Sequence, residues 1–283
     1  KMVQKWIKDG RIGKVSTVYT WTNRPVWAQG SPMPKPDPSQ KPEGMDWDLW
    51  IGPAKNNGYT PGLHAFSWRG YWEYGTGSLG DMGCHIMDVP IKALGIFDPF
   101  SIEASVPRVP YVADFTPAPV YEESCPPSSY VTYKFRPSKI NDSEVKMIWM
   151  DGGIRPSHPE IITDKDQIGD NGILMLGENG LIWSDYYGVN ARLYIKGQDG
   201  VVEKGKISEI NSVEFGHQKY WVDAIRAGYG SEEHKYYHLL QIENEITQIL
   251  MNNKDINNAS QDDIDKIKAL LNEANAIILS LIH

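Results

Sequence analysis

The sequence has 283 residues, 41% hydrophobic, 11% aromatic and 23% charged, which is enough to bury one large or two small cores and excludes disorder along the whole chain. With 28 Lys and Arg against 36 Asp and Glu, the net charge of -8 gives no electrostatic footprint for a phosphate backbone, so no nucleic-acid partner is expected. The richest apolar run, residues 274–282, is too short to span a bilayer and is interrupted by Asn275 and Ser280, so no membrane span is expected.

Lys1 to Gly10 read as the last turns of an amphipathic helix stopped by Gly10, with no signal-peptide core and no cleavage site. The sequence therefore reads as a piece that has lost something upstream, a soluble chain whose compartment, cytoplasmic or periplasmic, stays open. Gly10-Arg11-Ile12-Gly13-Lys14 leads into residues 15–22, whose period-two alternation of β-branched and aromatic side chains predicts a first strand. From Arg24 to Gly62 the text turns Pro-, Gly- and Lys-rich, and the alternate prolines from Pro32 to Pro38 can join neither ladder nor helix, so a long loop is expected there. Within it Trp47-Asp48-Leu49-Trp50-Ile51 forms a short apolar turn that docks the loop.

Helical spacing begins at Asp81, with Met82, Ile86, Val89 and Ala93 on one face and a kink expected at Pro90. Beyond Gly95 come strand-like runs at 101–106, 130–135, 145–150, 173–176, 181–184, 192–195 and 201–203, with Glu178-Asn179-Gly180 read as a hairpin turn because Asn-Gly adopts positive φ. Strands that follow one another without intervening helices predict an α+β fold, a large open, mostly antiparallel (mixed) sheet with helices packed on one face. Residues 216–228 read as a short amphipathic helix. Leu239, Ile242, Ile246 and Ile249, then Ile264, Ile267, Leu271, Ala274, Ile278 and Leu281, predict a C-terminal helical hairpin whose second helix begins at the capping-box-like pair Ser260 and Asp263. The acidic residues Asp262, Asp263 and Asp265 complement its dipole. Two domains are expected, 1–230 and a hairpin tail at 231–283.

Cys84 and Cys125 have no paired spacing and read as buried free thiols, and no His, Asp and Glu cluster has metal-ligand spacing. The ten tryptophans, many on loops, suit flat ligands such as sugars or else anchor the loops to the sheet.

The sharpest local feature is residues 75–88, where three glycines precede Asp81 and His85 at i and i+4. On one helix face the carboxylate could orient the imidazole for acid/base chemistry, or the two could form an ordinary structural pair. Gly75, Gly77 and Gly80 would let a ligand approach the helix N-terminus. The stretch is no dinucleotide fingerprint, because no hydrophobic strand precedes it.

Ile12-Gly13-Lys14-Val15 entering a strand, then Trp68-Arg69-Gly70, then the helix Gly80 to Asp88, and finally His217 to Gly228 resemble, in that order, the C-terminal domain of the glucose-fructose oxidoreductase/inositol dehydrogenase (Gfo/Idh/MocA) family over residues 1–230. The resemblance implies an NAD(P)-dependent oxidoreductase acting on a sugar, sugar derivative or cyclitol, with NAD or NADP bound mainly by a Rossmann domain that this sequence does not contain. It implies His85 as acid/base, Asp81 as its partner and substrate contact, and substrate contacts from Trp68, Arg69, Trp72 and His217. Asn23 and Arg24, ending the first strand, are further candidates, and Arg69 could instead pair with Glu73 or Asp81. A homo-oligomer through the sheet face is implied as well. The family's catalytic lysine segment is absent, so the chain alone is expected to be inactive, and the two-helix tail does not match the family's closing region. Relatives that hydrolyse or epimerise through the same redox step, or a non-catalytic carbohydrate-binding or scaffolding module, are the alternatives.

Overall fold

The computed structural model describes residues 2–107, 119–162, 167–205, 222, 242 and 260–282, with side chains up to residue 274. The chain divides into two compact units, residues 1–207 and 208–283.

Alternating side chains become strands where the sequence predicts them. The strands are β1 (Val15–Trp21), β2 (Pro99–Ser105), β3 (Tyr130–Phe135), β4 (Val145–Met150), β5 (Gly172–Gly177), β6 (Gly180–Ser184), β7 (Arg192–Ile195) and β8 (Glu203–Lys204). They form one 8-stranded mixed sheet in the order β2-β3-β4-β1-β5-β6-β7-β8. All pairings are antiparallel except β1 with β4, which run parallel in the register Val18 to Met147 and Thr20 to Trp149. That parallel pair closes a long crossover through the loop, the helices, β2 and β3. A bulge between Val15 and Thr17 turns Val15 and Val18 to the same face, although they are three apart. Asn141 pins this irregular entry, accepting from the Val15 N–H at 2.8 Å and donating to the Val15 carbonyl at 2.9 Å.

The β5–β6 hairpin falls where Asn179-Gly180 predicts it, but neither residue has positive φ. Tertiary hydrogen bonds hold the turn instead: Glu178 N–H donates to Lys14 O, Asn179 N–H to Ile12 O, and Lys196 N–H to Asn179 O. Glycine is required at 180 because a Cβ would lie 2.1 Å from the Tyr194 carbonyl oxygen.

On one face of the sheet, α1 (Met2–Lys8), α3 (Gly77–Ile86) and α4 (Asp88–Leu94) pack Trp6, Met82, Ile86 and Leu94 against Val15, Val18, Met147, Trp149 and Ile173. Trp6 and Trp149 are 1% and 0% exposed. Burying an indole of this size contributes at most about 4–6 kcal/mol of transfer free energy. The opposite face gathers Trp21, Ile148, Leu174, Trp183 and Tyr194 with Ile162 and Ile168. The helix expected across Pro90 is two helices meeting at Met87, because proline offers no N–H to the Ile86 carbonyl and its ring crowds it.

The long loop carries its own small core. Helix α2 (Trp47–Ile51) begins at Asp46, which accepts from the Leu49 N–H at 3.0 Å, and buries Trp47 and Ile51 against Tyr59, Leu63 and Tyr71. In the second unit, α5 (Gln261–Ile282) starts at Ser260, whose hydroxyl accepts from the Asp263 N–H at 3.1 Å and donates to its carboxylate at 2.8 Å. The predicted helices over 216–228 and 239–249 fall outside the described residues, Val222 and Ile242 apart. Among the described residues no helix is long and apolar enough to cross a membrane.

Candidate active site

A 3-10 turn, Ser67–Gly70, brings Trp68 and Arg69 against α3. Two glycines make this approach possible: a Cβ on Gly70 would lie 2.0 Å from the Ala28 carbonyl oxygen, and one on Gly75 would lie 2.7 Å from Arg69 Cα and O. Arg69 is then fixed on several sides. Its Nε donates to Asp81 Oδ1 at 3.0 Å, its Nη1 donates to the Phe66 carbonyl at 3.1 Å, and its guanidinium carbon sits 4.5 Å and 4.6 Å from the ring centres of Phe66 and Trp68. The ion pair is partly buried, its side chains 25% and 27% exposed. A charge-assisted bond of this kind outcompetes a neutral imidazole for the carboxylate.

The expected Asp81–His85 hydrogen bond is accordingly not made among the described residues. Of the two partners considered for Arg69, the structure selects Asp81 over Glu73. His85, one turn along α3 and half-buried, has Nδ1 3.5 Å from Cys84 Sγ and its ring centre 4.8 Å from that of Tyr187. Cys84 is exposed, which corrects the reading of it as buried; Cys125 is buried, and burial pushes its thiol up to about 11.

Tyr187 belongs to the site without any announcement in the sequence. It lies in the β6–β7 connection at φ 59, an uncommon conformation for a side-chain-bearing residue. Tyr187 is 57% exposed, and the desolvation of its phenol, then the nearby Cys84, Tyr186 and Asp81, raise it above the ordinary value. The only local signal is the turn Asp185-Tyr186-Tyr187-Gly188, and nothing in its pattern says that it reaches α3.

The glycines of the helix start are not openings for a ligand. Arg69 backbone fills the space at Gly75, Cys125 Cβ lies 2.8 Å from the Cβ position of Gly77, and Thr76 Oγ1 lies 1.6 Å from that of Gly80. They allow the chain's own close packing.

No hydrogen bond or ring contact among the described residues joins Trp72, Asn23 or Arg24 to Asp81 or His85. Trp72 is 53% exposed, and its backbone N–H donates to the Glu123 carbonyl at 3.0 Å. Arg24 donates to the Asn23 side-chain oxygen at 2.6 Å, and no hydrogen bond among the described residues ties either to α3. Asp88 is exposed and pairs with Lys92 at 3.2 Å. His217 lies outside the described residues.

Residues 2–108 match the model of the oxidoreductase family C-terminal alpha/beta domain, GFO_IDH_MocA_C2. Over this segment the chain is similar to the Gfo/Idh/MocA family. The match holds α1, β1, the loop, Arg69 and the whole of α3. No curated protein matches the sequence. Similar solved structures include a super-repressor mutant of Gal80p from Saccharomyces cerevisiae (13% identity, 79% of this chain and 47% of that chain, TM-score 0.41). They include the WlbA dehydrogenase from Bordetella pertussis in complex with NADH and UDP-GlcNAcA (15%, 80% and 48%, 0.37). An inositol dehydrogenase homolog from Azotobacter vinelandii complexed with NADH and myo-inositol is also similar (15%, 73% and 39%, 0.37). The chain spans less than half the length of each.

Proposed function

We propose that this chain is the substrate-holding part of an NAD(P)-dependent oxidoreductase acting on a sugar, sugar derivative or cyclitol, with His85 as the acid/base. The observation that supports it best is the cluster on α3: an Asp81 carboxylate neutralised by Arg69, one helical turn from a half-buried imidazole that Tyr187 contacts, with Asp81, Arg69 and His85 inside the matched segment.

In this reading His85 takes the proton of the substrate hydroxyl on a ring nitrogen. Asp81, with one oxygen on Arg69, uses the other to accept from a neighbouring hydroxyl, which makes it a substrate anchor rather than an orienter of the imidazole. Trp68 and Arg69 form the wall, and Trp72, Asn23, Arg24 and His217 are outlying contacts. A nicotinamide dinucleotide supplies the hydride acceptor. The glycines before α3 are filled by protein atoms and do not fit its phosphates, so the proposal assigns the cofactor to a domain joined to this chain. Self-association through a sheet face belongs to the same proposal.

The test is reduction of NAD and NADP by the chain joined to its cofactor domain, across a panel of sugars, uronates and cyclitols. Turnover with at least one member is expected, and no nicotinamide reduction with any member would overturn the reading.

A further inference from the structure

The loop before α3 encloses a second concavity that the acid/base reading does not use. It measures about 540 Å3, within the roughly 300–1,000 Å3 of small-molecule sites, and its walls include Trp50, Ile51, Pro53, Trp68, Glu73 and Tyr74. Trp50 is rigidly presented. Its ring stacks on Trp47 with centres 4.7 Å apart and planes 15° apart, and Trp47, 6% exposed, meets Tyr59 edge-on at 5.1 Å. Tyr74 and His64 flank the Trp50 ring at 6.5 Å and 5.8 Å. An aromatic face held this way costs little further conformational entropy when a ligand stacks on it.

The polar groups are as selective as the apolar ones. Glu73 Oε1 accepts from the Lys55 N–H at 3.0 Å, which fixes the carboxylate between two loop segments. Its other oxygen carries no hydrogen bond among the described residues. Burial, and then the charge of Glu73, raises the Tyr74 phenol above its ordinary value, so at neutral pH it keeps its proton and can donate. Among the described residues no Lys, Arg or His lines the pocket. An anion would meet the Glu73 charge without a cation to offset it. A neutral ring with several hydroxyls and an apolar face meets an acceptor, a donor and two indoles.

We propose that this pocket binds a pyranose unit of a neutral saccharide, its apolar face stacked on an indole and its hydroxyls donated to Glu73. Trp68 lines the pocket and also carries the Arg69 guanidinium that holds Asp81, so the site adjoins the one on α3 while having its own binding groups. It does not depend on the identity of the acid/base.

The experiment is calorimetric titration of the 283-residue chain, without nicotinamide, with cellobiose, maltose and the methyl glycosides of glucose, galactose, mannose and N-acetylglucosamine. Sorbitol and glucuronate serve as acyclic and anionic comparisons. Saturable binding of at least one neutral cyclic saccharide is expected, weakened about tenfold by Trp50→Ala, as the loss of one stacked ring implies, and weakened by Glu73→Gln. Should Trp50→Ala fail to fold, Glu73→Gln on the exposed rim decides. No binding by any neutral saccharide, equal binding of sorbitol, or undiminished binding in Glu73→Gln would overturn the proposal. Because the assay contains no nicotinamide, an absence of turnover elsewhere leaves its outcome unaffected.

Discussion

Tyr187 holds the backbone strain nearest the candidate site. A tyrosine at φ 59 costs about 1–2 kcal/mol relative to an extended or helical conformation, and here it keeps a ring 4.8 Å from His85. Tyr187→Gly should therefore raise the unfolding free energy by up to about 1 kcal/mol while reducing turnover, whereas Tyr187→Phe, which keeps the ring, should retain turnover. Denaturant melts and steady-state rates check both; a glycine variant less stable than the parent would contradict the strain assignment. Asp151 gives a pH prediction. It is 1% exposed, accepts from the Ser129 N–H and hydroxyl and from Trp149 Nε1–H, and burial still holds its carboxyl above the ordinary 3.8. The protonated form is thus favoured by folding. Its contribution is complete below 3.8 and is lost as pH rises through the folded value. The unfolding free energy of the parent minus that of Asp151→Asn should fall as pH rises from about 3 to 6 in urea melts, and a rise would contradict the sign. Among the site residues, Asp81 and His85 are legible in the sequence because i and i+4 share a helix face. Tyr187 is not, because its place depends on a β connection lying over α3.

At the scale of elements, alternation located the strands to within a few residues, since a half-buried strand imposes period two on its own side chains. Strand direction is not a property of one segment, so the parallel β1–β4 pair is invisible until both partners are placed. The glycines mislead for a related reason. Gly75 and Gly77 look like room for a ligand only when the returning chain is unknown; in the fold, Arg69 backbone and Cys125 occupy that room. Gly75→Ala should lower stability by about 1–3 kcal/mol, because the contacting atoms are backbone and cannot rotate away. It should also displace Arg69 from Asp81. Calorimetric melting checks the first effect, and an unchanged melting temperature would contradict the close packing.

For the whole molecule, both hydrophobic clusters on the sheet are built from residues of the first unit. A chain ending at residue 207 should therefore unfold in one cooperative transition and keep its sheet, as circular dichroism and denaturant titration would report; a non-cooperative melt would contradict a self-contained core. Both sheet clusters and the α3 cluster lie in this unit. The role proposed for His85 is to move a proton in a sugar or cyclitol oxidation. Its most direct test is kcat and KM of His85→Ala in the chain joined to its cofactor domain. We expect kcat to fall about 100- to 10,000-fold with KM changed far less. Unchanged kcat, or losses that appear equally in binding and turnover, would contradict the assignment.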